Sequence, residues 1–185
     1  MPSRDRPPHL RSFRDGWRHL RFLLLYCPFW LYLVPSAFLG SIGLSLMLWL
    51  TPGAKQVGHV QFGLHTMLLG ALCVFLGYQT MWLWAFAKIH GWLHGMLPQG
   101  TFSRAIFRYL NLERGLILGG GMAAGGLALC TWLAWRWLGS GCGELEIQQT
   151  MRGALWGFLF LVLGVQTVYS SFFLSMLGMG HGERR

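Results

Sequence analysis

The chain reads as four long apolar runs separated by short polar stretches. Uncharged segments extend from about Tyr26 to Leu50, Leu64 to Ala87, Leu116 to Trp135 and Gly153 to Gly180. About 20 helical residues at 1.5 Å each cover the ~30 Å hydrocarbon core of a bilayer, so each run predicts one membrane-spanning helix. A Lys or Arg at the centre of such a helix costs at least about 2.5 to 3.5 kcal/mol, and none of the four runs carries one there. Thr51-Pro52-Gly53 is a strong stop for the first helix, and the connections at 51–63 and 136–152 are too short to build a domain. Pro28 and Pro35 fall in the first run, where their missing N–H groups should kink the helix or delay its start. The predicted fold is an all-α membrane protein with four transmembrane helices in two hairpins and short cytoplasmic interfacial helices. Along the chain this gives a basic amphipathic juxtamembrane segment at 1–24, a four-helix transmembrane domain at 25–180 and a cytoplasmic tail at 181–185.

Composition agrees with that reading, because 54% of the 185 residues are hydrophobic and 11% are charged, against about a quarter charged in soluble domains. The formal net charge of +9 lies beside the apolar spans and comes with no nucleic-acid-binding fingerprint, so a membrane surface is the expected partner and nucleic acid is not. Twelve of the fifteen Lys and Arg lie in the N-terminal segment, the middle connection (Lys88, Arg104, Arg108, Arg114) and the tail. Lys55, Arg136 and Arg152 alone serve the other two connections. This split predicts an inner-membrane protein whose termini and middle loop face the cytoplasm. The first twenty residues lack the apolar core and cleavage site of a signal peptide, so the N-terminus is expected to be retained.

The segment from Leu10 to Leu24 is amphipathic. Phe13, Trp17, Leu20 and Leu24 recur at helical spacing, with Arg11, Arg14, Arg18 and Arg21 on a second stripe about 100° around the axis. Ser12 followed by Asp15 resembles a capping box, and Pro7-Pro8 excludes an earlier start. A short helix over about 101–111 repeats the theme, with Phe102, Ile106 and Tyr109 or Leu110 opposing Arg104 and Arg108. The resulting basic collar either sets topology and holds acidic lipids, or binds the phosphate of a lipid-linked substrate. The candidate phosphate contacts are Arg11, Arg14, Arg18, Arg21, Arg104 and Arg108.

Within the spans, Gln79 and Gln166 are amides deep in apolar runs, and intramembrane packing against protein is expected of both. They belong to a short repeat: Leu76-Gly77-Tyr78-Gln79-Thr80 matches Leu163-Gly164-Val165-Gln166-Thr167 at an offset of 87 residues, and Phe86 matches Phe173 at the same offset. The repeat hints at two hairpins related by an axis along the membrane normal. Gly115-x-x-x-Gly119 and Gly121-x-x-x-Gly125 in the third run predict close helix packing.

Candidate chemistry is sparse. Cys27, Cys73 and Cys130 fall in apolar runs and Cys142 in a loop, without metal-ligand spacing, and read as small fillers. His90 and His94 sit four apart, yet no acid or third His completes a site. The acids number six, and there is no D-x-D, P-loop, dinucleotide fingerprint or G-x-S-x-G. No catalytic residue, cofactor or metal is expected in this chain.

The segment Arg6-Pro7-Pro8-His9-Leu10-Arg11-Ser12-Phe13-Arg14-Asp15-Gly16-Trp17-Arg18-His19-Leu20-Arg21-Phe22 resembles the junction between catalytic and membrane domains in bacterial family-two glycosyltransferases similar to dolichyl-phosphate mannose synthase. The resemblance continues through Phe62-Gly63-Leu64-His65-Thr66-Met67, Leu112-Glu113-Arg114-Gly115 and Gln166-Thr167-Val168-Tyr169-Ser170-Ser171-Phe172-Phe173-Leu174. It implies transfer of sugar from a nucleotide donor to a polyprenyl phosphate, by a globular domain that precedes the helices and holds any divalent cation. Met1 stands a few residues before the junction, so a truncated or split product, inactive alone, is expected. The expected function is a membrane-anchoring and lipid-carrier-presenting domain, with membrane lipids, polyprenyl phosphate and a separate catalytic domain as partners. The alternatives are a small four-helix glycolipid flippase or carrier and a structural membrane partner. A transporter usually marks its path with intramembrane ionisable groups or broken helices. Here only Gln79, Gln166 and the prolines of the first run are available, which favours the anchor.

Overall fold

A computed structural model of the chain describes residues 16–18, 29–93, 112–139 and 147–179. Helix α1 covers Phe29–Leu50, α2 Leu64–Leu93, α3 Leu112–Gly139 and α4 Ile147–Met179. Each is long and apolar enough to cross a membrane, and the chain is a multi-pass membrane protein. Residues 101–111, Pro28 and the tail, of which a short helix, a kink and a cytoplasmic segment are expected, lie outside the described residues.

Three helices outrun their uncharged segments because charge does not end a helix at the membrane surface. Helix α2 continues past Ala87 through Lys88 to Leu93. Helix α3 takes Glu113 into its first turn and Arg136 into its last, both signs matching the helix dipole. In α1, Phe29–Leu33 form a π-helical turn before the α-helical stretch Val34–Leu50, which has Pro35 in its first turn. Proline has no N–H to donate and its ring crowds the carbonyl four residues back, so the widened turn is the expected accommodation.

The connection between α1 and α2 holds a small β-hairpin that the apolar pattern does not announce. Strands β1 (Lys55–Val57) and β2 (Val60–Phe62) pair antiparallel, Lys55 opposite Phe62 and Val57 opposite Val60. Gly58, at φ 61°, supplies the left-handed residue that a two-residue hairpin loop needs.

The helices form two hairpins that meet through their second members: α1 packs on α2, α3 on α4, and α2 lies beside α4. The order across the membrane is therefore α1, α2, α4, α3. Glycines set both close contacts. Gly43 of α1 faces the backbone of Gly70 and Val74, and Gly77 faces Gly40 and Ser36. In the second hairpin Gly119 faces Gly164 and Val168, Gly126 faces Gly157 and Leu161, and Gly115 faces Ser171. The predicted pair Gly121 and Gly125 does not pack within the chain, since nothing lies within 4 Å of either. Residues 115, 119 and 126 share one stripe of the helix, and 121 and 125 fall on another.

The repeat corresponds to this architecture. Gly70 and Gly77 in α2 are 87 residues from Gly157 and Gly164 in α4, and each pair receives the neighbouring hairpin helix. Phe86 and Phe173 touch each other, ring centroids 4.8 Å apart.

Arg152 departs from the sequence reading, which assigns it to a loop. It lies inside α4 and is 4% exposed, and its Nη1 donates to the carbonyl of Leu50 at 2.9 Å. That carbonyl ends α1, where the helix dipole favours a cation. Trp156 Nε1 donates to Thr51 Oγ1 at 3.0 Å one turn further along, so α4 is tied to the end of α1.

Candidate functional site

Two concave regions flank the α2–α4 contact. At the end where α1 begins and α2 ends, a groove of about 510 Å³ is lined by Tyr32, Leu83, Phe86, Ala87, His90, Phe173 and Leu177. At the opposite, hairpin end, a smaller cavity of about 260 Å³ is lined by Leu64, His65, Leu68, Met151, Ala154, Leu155 and Phe158.

The larger groove owes its shape to aromatic residues four apart on one face of α2. Tyr78 meets Trp82 edge-on at 6.2 Å, Trp82 stacks on Phe86 at 5.7 Å, and Phe86 meets Phe173 of α4 edge-on. Such contacts are worth about 0.5 to 1.5 kcal/mol each beyond area burial and hold the rings in fixed orientations. The series is anchored at midspan, where the Tyr78 hydroxyl lies 2.5 Å from Thr167 Oγ1. Thr167 gives its own proton to the carbonyl of Leu163 at 2.6 Å, so Tyr78 is the donor between the two helices. Trp82, Ala85, Ile89 and Leu174 are buried behind the groove.

Chemically the groove is a hydrocarbon-lined slot with two polar side chains, Tyr32 and His90, among its walls. It suits an apolar chain. Lys88, two residues before His90, is directed to the face of Trp84, with Nζ 5.1 Å from the ring centroid.

Of the six arginines predicted to contact phosphate, Arg18 is described. It lies in a helical stretch, Gly16–Arg18, and is exposed beside Trp17, itself 60% exposed. Arg11, Arg14, Arg21, Arg104 and Arg108 lie outside the described residues. Gln79 does not pack inside the chain. It is exposed and Gln166 is half-buried, and among the described residues neither makes a side-chain hydrogen bond. The adjacent positions, Tyr78 and Thr167, point into the α2–α4 interface instead. A one-residue step turns a helical side chain about 100°. Sequence reasoning singled out Phe86 and Phe173 through the repeat but missed Tyr32 and Arg152. The four-residue spacing of Tyr78, Trp82, Phe86 and His90 was the available signal for the groove face.

The family model for the glycosyltransferase family 2 C-terminal transmembrane region matches residues 85–178. This chain belongs to that family. The region matched holds Phe86, Ala87, His90, Phe173 and Leu177, the α2 and α4 walls of the groove apart from Leu83. Among curated proteins, the low-salt glycan biosynthesis hexosyltransferase Agl6 of Haloferax volcanii is 35% identical over 176 residues. The alignment covers 95% of this chain and 41% of the relative, so this transmembrane region spans about two fifths of that protein's length. No solved structure matches the chain.

Proposed function

We propose that the chain anchors a glycosyltransferase to the cytoplasmic membrane and presents its lipid carrier, a polyprenyl phosphate that accepts sugar from a nucleotide donor. The supporting observation is the apolar groove between α1, α2 and α4, with Phe86 and Phe173 as its floor. It lies at the end of the bundle where α1 begins, and the candidate phosphate contacts Arg11, Arg14, Arg18 and Arg21 belong to the basic segment that precedes α1 in sequence. Arginine suits that role because its planar fork binds phosphate oxygens in pairs. The uneven distribution of Lys and Arg supports a cytoplasmic location for this end and for both termini. Sugar transfer itself requires a catalytic domain, because none of the described residues near the groove supplies a carboxylate for a cation or a base.

The test is photolabelling of the full chain in nanodiscs with a diazirine-bearing polyprenyl phosphate. Labelling is expected on peptides carrying Tyr32, Phe86 and Phe173, and Ala87→Trp, which fills the groove, should suppress it. Labels spread evenly over the lipid-facing surface and indifferent to Ala87→Trp would refute the proposal.

A further inference from the structure

One face of α2 is left open by the row of helices. Leu69, Leu72, Leu76, Gln79 and Leu83 alternate three and four residues apart along it, and all five are exposed. Such spacing marks one face of an α-helix, the one that α1 and α4 leave uncovered and that can serve as a seam for another helix.

Gln79 identifies the occupant of the seam. It lies near the middle of the Leu64–Trp92 span, exposed, and without a side-chain hydrogen bond among the described residues. Lipid tails cannot satisfy an amide, and a water-soluble domain does not reach that depth. The partner is therefore another membrane helix with a hydrogen-bonding group at the same level. An amide both donates and accepts, so it is complementary to itself. Copies inserted with one topology run parallel, and a two-fold axis along the membrane normal sets Gln79 opposite Gln79. A single polar residue in an otherwise leucine-rich seam fixes register and partner number.

We propose that the chain forms a parallel homodimer through the Leu69–Leu83 face of α2, with the two Gln79 side chains hydrogen-bonded to each other at the membrane midplane. The dimer goes beyond the anchoring reading and holds whatever the groove binds. Leu83 belongs to both surfaces, so the second copy stands beside the open side of the groove.

The experiment measures energy transfer between fluorophore-labelled full-length chains in lipid vesicles as they are diluted with lipid. Gln79→Leu, close in size and without the amide, should raise the dissociation constant about fivefold or more, while Gln79→Asn should keep most of the affinity. In a chain whose native cysteines are replaced by alanine, Leu76→Cys and Leu83→Cys should cross-link between copies and Met81→Cys, on another face, should not. The cross-linking arm leaves Gln79 in place and so stands if the Gln79 variants fold poorly. A chain that is monomeric at every dilution, a dimer indifferent to Gln79→Leu, or cross-linking that favours Met81→Cys would each overturn the proposal.

Discussion

Two adjacent glycines of α3 should respond to the same substitution in opposite ways. A Cβ added at Gly119 would meet the carbonyl oxygen of Gly164 at 2.7 Å and the backbone nitrogen and Cγ2 of Val168 at 2.9 Å. Two of those three atoms are backbone, so no side-chain rotation relieves the clash. Moving the oxygen from 2.7 Å to the 3.4 Å of ordinary contact requires α3 and α4 to part by roughly 0.7 Å at that level. Overpacking of this kind costs about 1–3 kcal/mol, from which about 0.4–1 kcal/mol is recovered because alanine loses less backbone entropy than glycine. The net expectation for Gly119→Ala is a loss of about 1–2 kcal/mol. Nothing lies within 4 Å of a Cβ at Gly120, so Gly120→Ala should be neutral or stabilise by up to about 1 kcal/mol. Unfolding of the purified chain by sodium dodecyl sulfate in mixed micelles, followed through tryptophan fluorescence, reads both. The contrast is sharper in a membrane than in water, because packing between helices there rests on van der Waals contact without a hydrophobic term. Equal midpoints for the two variants would refute the close approach of α3 and α4.

Arg152→Ala should lower the unfolding midpoint in the same assay, since a hydrogen bond from a charged donor is worth about 1.5–3 kcal/mol and the end of α1 loses its tie to α4. An unchanged midpoint would mean that the guanidinium does not hold the two helices. The four spans set Lys55 in the β-hairpin and the segment around Cys142 on one side of the membrane. In intact cells both should therefore respond to external reagents: trypsin should cut after Lys55, and a membrane-impermeant maleimide should label Cys142. Protection of both until the membrane is breached would invert the proposed orientation.

The spans were legible because bilayer thickness demands about 20 apolar residues in a row, and few other structures do. Their ends were not, because reading a run by charge stops at Lys88, Arg114 or Arg152, whereas the helices continue into the interface through all three. Arg152 looked like a loop residue for the same reason; its burial depends on the carbonyl of Leu50, which is distant in sequence. The glycines of α3 announced a close contact without saying which side makes it. Gly119 and Gly121 were equivalent on paper and differ only once α4 is in place. The groove required the order α1, α2, α4, α3, since its walls come from three helices that no local pattern relates. The β-hairpin lay in a connection whose alternation is too short to stand out beside four spans.

The internal repeat explains why the two central helices end in unlike surroundings. Gly70 and Gly157, Gly77 and Gly164, and Phe86 and Phe173 are related by the same 87-residue offset, so two like helices each receive an outer partner and meet face to face. The packing leaves α2 and α4 about equally covered, nine residues being exposed in each span. The side chains that break the symmetry act at single sites. Tyr78 has Val165 as its repeat mate, so the one tyrosine donates across to Thr167 with no reciprocal bond. Arg152 has His65 as its mate, and while the arginine draws α4 onto the end of α1, His65 is exposed on α2. Gln79 is exposed while its mate Gln166 is half-buried. The repeat therefore fixes the helix contacts through its glycines, and the positions at which it fails, Tyr78, Arg152 and Gln79, give the two hairpins their different chemistry.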